Sequence, residues 1–269
     1  NEKTRAVFLE TITNPQLQVV DIAKLSETAA AAGVPVILDG TVTTPYLFRS
    51  KDFGVAVEVL SSTKYMSGGA TAVGGLIIDT GNQDWSKCPG LAQAAVKYGP
   101  HALLARLRRE TFRNLGACMA PHNAYLQSLG LETLSLRIDK SCDNAMALAH
   151  FLQTCQEVKE VNYPGLTSSP YYGEARAQFG GKYGGILTFA LKDREACYKF
   201  MDSLTIIRRA TNINDNKTLI LHPASTIFCE YSEEERRSLG VPSNMIRLAV
   251  GIEDKEDLME DLEKGLRAL

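Results

Sequence analysis

The chain has 269 residues, 45% hydrophobic and 22% charged, proportions ordinary for a soluble globular protein. Lys plus Arg number 29 against 31 Asp plus Glu, and the net charge of −2 gives no electrostatic ground for binding nucleic acid or an acidic membrane surface. No apolar run approaches the roughly 20 residues a membrane helix needs, and the length suits one large or two ordinary domains.

Ala6-Val7-Phe8-Leu9 is a short apolar run that ends at Glu10 and is broken at Asn14-Pro15. Asp21 is placed to cap a helix over Ile22–Ala32, with Gly33 at its C-terminal exit. Val34–Leu38 is a continuous apolar run ending in Asp39, and Val55–Leu60 is another, ending in Ser61-Ser62-Thr63-Lys64. Continuous apolar strands joined by helices indicate a parallel sheet buried on both faces. Val73–Ile78 adds a further strand, and an irregular stretch follows through Trp85 and Pro89. A long helical segment is expected from about Pro100 to Cys155, broken near Pro121 and Gly130. Beyond it, Gly184–Leu191 and Ile246–Ile252 read as strands and Arg194–Leu204 as a helix. Leu258, Leu262, Leu266 and Leu269 recur at helical spacing over Asp254–Leu269. Glu233–Arg237 reads as a solvated helix face. A domain boundary is expected near residue 134, separating 1–134 from 135–269.

Ligands of open α/β sheets bind beyond the carboxyl ends of the strands. Asn14, Asp39 and the group Ser61–Lys64 all follow strand ends. A lysine in a partly desolvated site can lose its proton and become an amine nucleophile toward carbonyls. Enzymes that use pyridoxal 5′-phosphate (PLP) need such a lysine for the Schiff base, and an acid opposite the pyridine nitrogen. Lys64 and Asp39 fit those two roles. Ser61 and Thr63 offer hydroxyls for the phosphate, and Asn14 an amide for the ring oxygen. Taken singly, each is an ordinary surface or turn residue. In this order on neighbouring strands they point to a site.

The runs Asp39-Gly-Thr-Val-Thr-Thr-Pro-Tyr-Leu, Ser61-Ser-Thr-Lys-Tyr-Met-Ser-Gly and Val73-Gly-Gly closely resemble the Cys/Met-metabolism family of PLP enzymes over essentially the whole chain. The resemblance implies a fold type I PLP-dependent transferase: an α/β large domain with a mostly parallel sheet, and a smaller α+β carboxy-terminal domain. It makes Lys64 the Schiff-base lysine, Asp39 the pyridinium partner, Ser61 and Thr63 phosphate ligands, and Asn14 a ring-oxygen contact. It makes Arg247, in Met245-Ile-Arg-Leu-Ala-Val-Gly, the clamp for the substrate carboxylate, assisted by Asn212. Asn212-Ile-Asn-Asp followed by His222-Pro-Ala-Ser-Thr is similar to the Asn-Val-Gly-Asp form of the O-acetylhomoserine sulfhydrylase branch. Asn214 stands where that branch has Gly, and Phe228 where it often has His.

The implied reaction is replacement of the acetate of O-acetylhomoserine by sulfide or a thiol. The family alternatives are cystathionine γ-synthase and the methionine or cystathionine γ-lyases; a non-catalytic fragment or partner subunit is the alternative outside it. Family members also imply a homotetramer built from dimers. About 150 upstream residues, a domain's worth of chain, are expected from the resemblance and do not precede Asn1. They would bring a Gly-Met phosphate-binding turn, a ring-stacking Tyr and a Tyr-x-Arg arm. The six scattered cysteines, without a Cys-x-x-Cys pair, read as free thiols in a reducing cytoplasm. No G-x-G-x-x-G or P-loop supports nucleotide binding, and the four histidines lack zinc-ligand spacing, so no metal is expected.

Overall fold

The computed structural model describes residues 3–269. Its first sheet has the order β1-β2-β3-β4, with β1 Val7–Glu10, β2 Val36–Asp39, β3 Val57–Leu60 and β4 Leu76–Asp79. β1, β2 and β3 run parallel and β4 is antiparallel to β3. α1 (Ile22–Ala31) links β1 to β2. The Asp21 carboxylate accepts from Lys24 N at 3.0 Å, and Gly33 leaves the helix at φ 67°. A short α2 (Thr44–Leu47) follows β2. The register pairs Glu10 with Asp39, so two acidic residues share the carboxyl edge of the sheet.

The expectation of two buried faces holds for the middle of this sheet. Val36 and Leu38 enter the main core. On the other face Trp85, α3 (Ala92–Tyr98) and α4 (Ala102–Arg106) cover Ile37, Val57 and Val59. That cover does not extend to the outer strands: Phe8 on β1 is 63% exposed and Ile77 on β4 52%.

The helical segment is more broken than its sequence suggests. α4 continues through a π-helical stretch, Leu107–Phe112, into α5 (Arg113–Leu115). α6 (Pro121–Glu132) starts with proline in its first turn, and α7 runs over Leu134–Gln153. Gly130 does not break the helix; the break falls at Thr133. A Cβ on Gly130 would lie 2.3 Å from Met66 O and 2.5 Å from Gly68 N. Glycine is there because α6 crosses directly over the turn that follows Lys64. Arg137 of α7 then closes the end of α6, donating through Nη2 to Gly130 O at 2.6 Å and through Nε to Thr133 Oγ1 at 3.0 Å.

The second sheet has the order β5-β6-β9-β8-β7, from Glu160–Asn162, Ile186–Ala190, Met245–Ala249, Leu219–Leu221 and Arg208–Arg209. All its pairings are antiparallel except β7 with β8. α8 (Tyr172–Phe179), α9 (Arg194–Ser203), the exposed α10 (Glu233–Ser238) and α11 (Lys255–Arg267) complete the chain. α11 turns Leu258, Leu262 and Leu266 inward against α7 and α9. One apolar core runs from Val36 and Leu38 of the first sheet to Leu187, Phe189, Ile246 and Leu248 of the second. α7 holds the exit of β9: Ser141 Oγ donates to Val250 O at 2.7 Å, and Asn144 Nδ2 to Gly251 O at 3.1 Å.

The turn before β7 hangs on one buried carboxylate. Asp261 accepts from Thr205 N, Thr205 Oγ1, Ile206 N and Ile207 N at 2.7–2.9 Å. Burial disfavours its charge, but the hydrogen bonds from Ile207, Thr205 and Ile206 outweigh burial and lower its pKa. The stability it contributes is therefore present above the ordinary carboxylate pKa and lost as the pH falls through the lowered value. Asp261→Asn should destabilise the fold by about 2 kcal/mol at neutral pH. Thermal melts of both proteins should converge as the pH is brought below about 4; a gap that persists undiminished in acid would contradict this account.

Candidate active site

Lys64 follows β3 and opens the single turn Tyr65–Ser67, its own N–H donating to Ser61 O at 3.2 Å. The next residue anchors the turn. The buried Tyr65 hydroxyl shares a 2.7 Å hydrogen bond with Ser141 of α7. The Lys64 amine is half-buried and donates to Asn212 Oδ1. Burial lowers its pKa, the Arg247 charge lowers it further, and Asp215 acts in the opposite sense.

Arg247 sits on β9 with 1% of its surface exposed. Nη1 donates to Asn14 Oδ1 at 3.1 Å, and Nη2 to Thr211 O and Asn212 O, both at 3.0 Å. Its Nε is buried without a partner among the described residues. Burial pushes the guanidinium pKa down to about 10, so it stays charged at neutral pH. Among the described residues its three partners are all neutral oxygens, an arrangement suited to receiving an anion.

Asp39 ends β2 half-buried, with Oδ1 accepting from Thr41 N at 2.9 Å and Oδ2 unpartnered among the described residues. Ser61 N donates to Thr41 Oγ1 at 2.8 Å, so Thr41 joins Ser61 to Asp39. The Ser61 hydroxyl has no hydrogen bond among the described residues. The Thr63 hydroxyl is engaged with Gly74: Oγ1 donates to Gly74 O at 3.2 Å and accepts from Gly74 N at 3.1 Å. The structure thus joins Lys64, Asn212, Arg247 and Asn14 in one network, joins Asp39 and Ser61 through Thr41, and ties Thr63 to Gly74.

Four contributors escaped the sequence reading. Glu10 Oε2 accepts from Asn14 N at 3.1 Å. Burial raises its pKa, as does the nearby charge of Asp39, while the Asn14 bond lowers it. The strand-end rule that singled out Asp39 applies equally to Glu10, which is its register partner. Asp215 Oδ2 accepts from Asn212 Nδ2 at 3.3 Å, which turns the amide oxygen of Asn212 toward Lys64. Thr41 and Asn214 connect loops from different sheets; no local pattern marks Thr41, and Asn214 stands out only as a departure from the glycine of the resembling branch.

Residues 1–267 match the family of Cys/Met metabolism PLP-dependent enzymes. The chain belongs to that family. Among its solved relatives is an O-acetylhomoserine sulfhydrylase of Wolinella succinogenes, 51% identical with a TM-score of 0.87, covering 99% of this chain and 72% of the other. A putative O-acetylhomoserine (thiol)-lyase of Campylobacter jejuni is 35% identical with a TM-score of 0.91, covers 99% of this chain and 67% of the other, and carries a pyridoxyl-lysine phosphate. O-acetyl-L-homoserine sulfhydrylase 1 of Thermus thermophilus is 37% identical over 99% of this chain. An L-methionine gamma-lyase of Pseudomonas putida is 36% identical over 98% of it. The chain spans 66% of the length of the first of these two proteins and 62% of the second. The fold is that of the fold type I PLP enzymes, and the family depends on PLP.

In this family member, Asp215 is the carboxylate that counters the depression of the Lys64 pKa. Asp215→Asn should move Lys64 titration to lower pH. The pH dependence of Lys64 acetylation, followed by peptide mass spectrometry, reads this directly; a midpoint unchanged or moved upward rejects the assignment.

Proposed function

We propose that the chain carries the lysine, the ring acid and the carboxylate clamp of an enzyme that replaces the acetate of O-acetylhomoserine by sulfide or a thiol, giving homocysteine or methionine. The observation that carries this reading is the double attachment of Asn212, whose side chain meets the Lys64 amine and whose carbonyl meets Arg247. An α-amino acid presents an amino group and a carboxylate on one carbon. A site for it needs an amine-exchanging group and an anion clamp as immediate neighbours.

The residues suit PLP. Lys64 would hold the cofactor covalently, its lowered pKa leaving more of the neutral amine at neutral pH. Asp39 Oδ2 would accept from the pyridine N–H. Ser61 Oγ would donate to the phosphate, and Thr63 would join it by turning its one hydroxyl proton away from Gly74 O. Asn14 Nδ2 would donate to the ring oxygen while Oδ1 stays on Arg247. When bound, the cofactor draws electrons from the α-carbon of the amino acid. Arg247 would orient that carbon by holding the carboxylate, with Nε supplying the donor that lacks a partner among the described residues. The Lys64 amine, when free, would take the proton from the α-carbon of the amino acid and return one to its side chain.

The choice of substrate draws on the sulfhydrylase relatives and on the Asn212–Asp215 stretch. A γ-lyase is the second reading, because the methionine gamma-lyase relative is almost as similar. We further infer a division at residue 134 into a PLP-binding part and a substrate-carboxylate part, supported by the two separate sheets. A cytoplasmic location is supported by six free thiols. A homo-oligomer, a tetramer of paired dimers, is supported by exposed Val96, Leu115, Tyr125 and Leu136 along the helical segment. No helix among the described residues is long and apolar enough to cross a membrane.

Lys64→Ala should abolish both turnover and the absorbance of bound cofactor, and borohydride reduction should fix PLP on the Lys64 peptide of the unmutated protein alone. Arg247→Lys should raise KM for the amino acid about tenfold or more, since a lysine cannot form the fork. Product analysis with O-acetylhomoserine plus sulfide, set against methionine and cystathionine alone, separates replacement from elimination. Release of ammonia from methionine as the dominant activity would replace this reading with the lyase.

A further inference from the structure

Asn214 occupies a position that glycine would fill more easily. Its φ of 55° lies in the left-handed region, where a Cβ is disfavoured and asparagine is merely among the best tolerated residues with a side chain. It is 1% exposed, and its Oδ1 is buried without a partner among the described residues, a second disadvantage that glycine would not have. Against both stands one contact: Nδ2 donates to Thr41 O at 3.0 Å.

That contact lies between the two halves of the site. On the Asn214 side, the same turn carries Asn212, which meets Lys64 and Arg247, and Asp215, which orients Asn212. On the other side, Thr41 holds Asp39 through its N–H and Ser61 through its hydroxyl. Thr41 follows β2 of the first sheet, whereas the Asn212–Asp215 turn joins β7 to β8 of the second. We propose that Asn214 is a positioning residue, whose side chain sets the separation between the wall of the site that carries Asp39, Ser61 and Lys64 and the wall that carries Asn212 and Arg247. The functional side of this inference rests on the reading given under Proposed function; the mechanical side does not.

The test compares Asn214→Gly and Asn214→Ala in the 269-residue chain. Glycine accepts the backbone conformation and removes only the tie; alanine removes the tie and keeps a Cβ in the left-handed region. The Tm of Asn214→Gly should stay within about 4 °C of the parent, with Asn214→Ala lower still. In the cofactor-free protein, amide exchange at Thr41 should be about fivefold faster in Asn214→Gly. Titration with PLP should show about fivefold to tenfold weaker binding. Unchanged exchange at Thr41 together with unchanged PLP affinity would overturn the inference. So would a loss of affinity that appears only alongside a fall in Tm well beyond that range, because the side chain would then serve global stability. Failure of the parent chain to bind PLP would remove the functional reading, and exchange at Thr41 would still decide the positioning role.

Discussion

The constraint on which this structure turns is a positive charge placed inside it. Arg247 is almost wholly enclosed, and desolvating a guanidinium is costly unless its donors are met. The fold meets three of them from two directions. Asn14 comes from the loop after β1, and Thr211 and Asn212 come from the loop after β7. To satisfy Arg247, the carboxyl edge of the first sheet and the loops of the second must therefore lie against each other. The cleft between the sheets and the polarity of its walls follow from that requirement.

The charge also tunes its surroundings. A buried cation beside Lys64 favours the neutral amine, in the same direction as burial. The charge of Asp215 moderates this, and its carboxylate also orients the amide of Asn212 toward Lys64. On the opposite wall the carboxyls behave differently. Glu10 and Glu58 are both pushed by burial toward the protonated form, and the nearby charge of Asp39 adds to the push in each. The acidic group at that end is therefore not one block of negative charge. Glu10 is used as a hydrogen-bonding fixture for the Asn14 loop, while Asp39 presents an oxygen unpartnered among the described residues.

Much of this could be read from local pattern. Asp21 and Gly33 bracket α1, the leucines of α11 face inward, and the apolar runs end where polar residues begin. Such signals are legible because they depend on neighbours a few residues away. What escaped is decided over long separations. Gly130 looks like a helix breaker until Met66 O is seen 2.3 Å from where its Cβ would be. Thr63 looks like a free hydroxyl until Gly74 is folded against it. Asn214 reads as a departure from a glycine pattern, and its left-handed backbone shows why asparagine is tolerated there. Phe228, the other departure, packs its ring 5.4 Å from Tyr231.

The single apolar core that runs between the sheets has a consequence for how the molecule comes apart. Leu38 and Ile246 belong to the same packed cluster, although they stand on strands from opposite ends of the chain. Neither half can shed its interior without opening that of the other. Loss of structure should thus be cooperative across the cleft, with no stable form in which one wall is folded and the other molten. The amine of Lys64 and the buried guanidinium of Arg247 share one fate on denaturation, so a chain that has kept either has kept both.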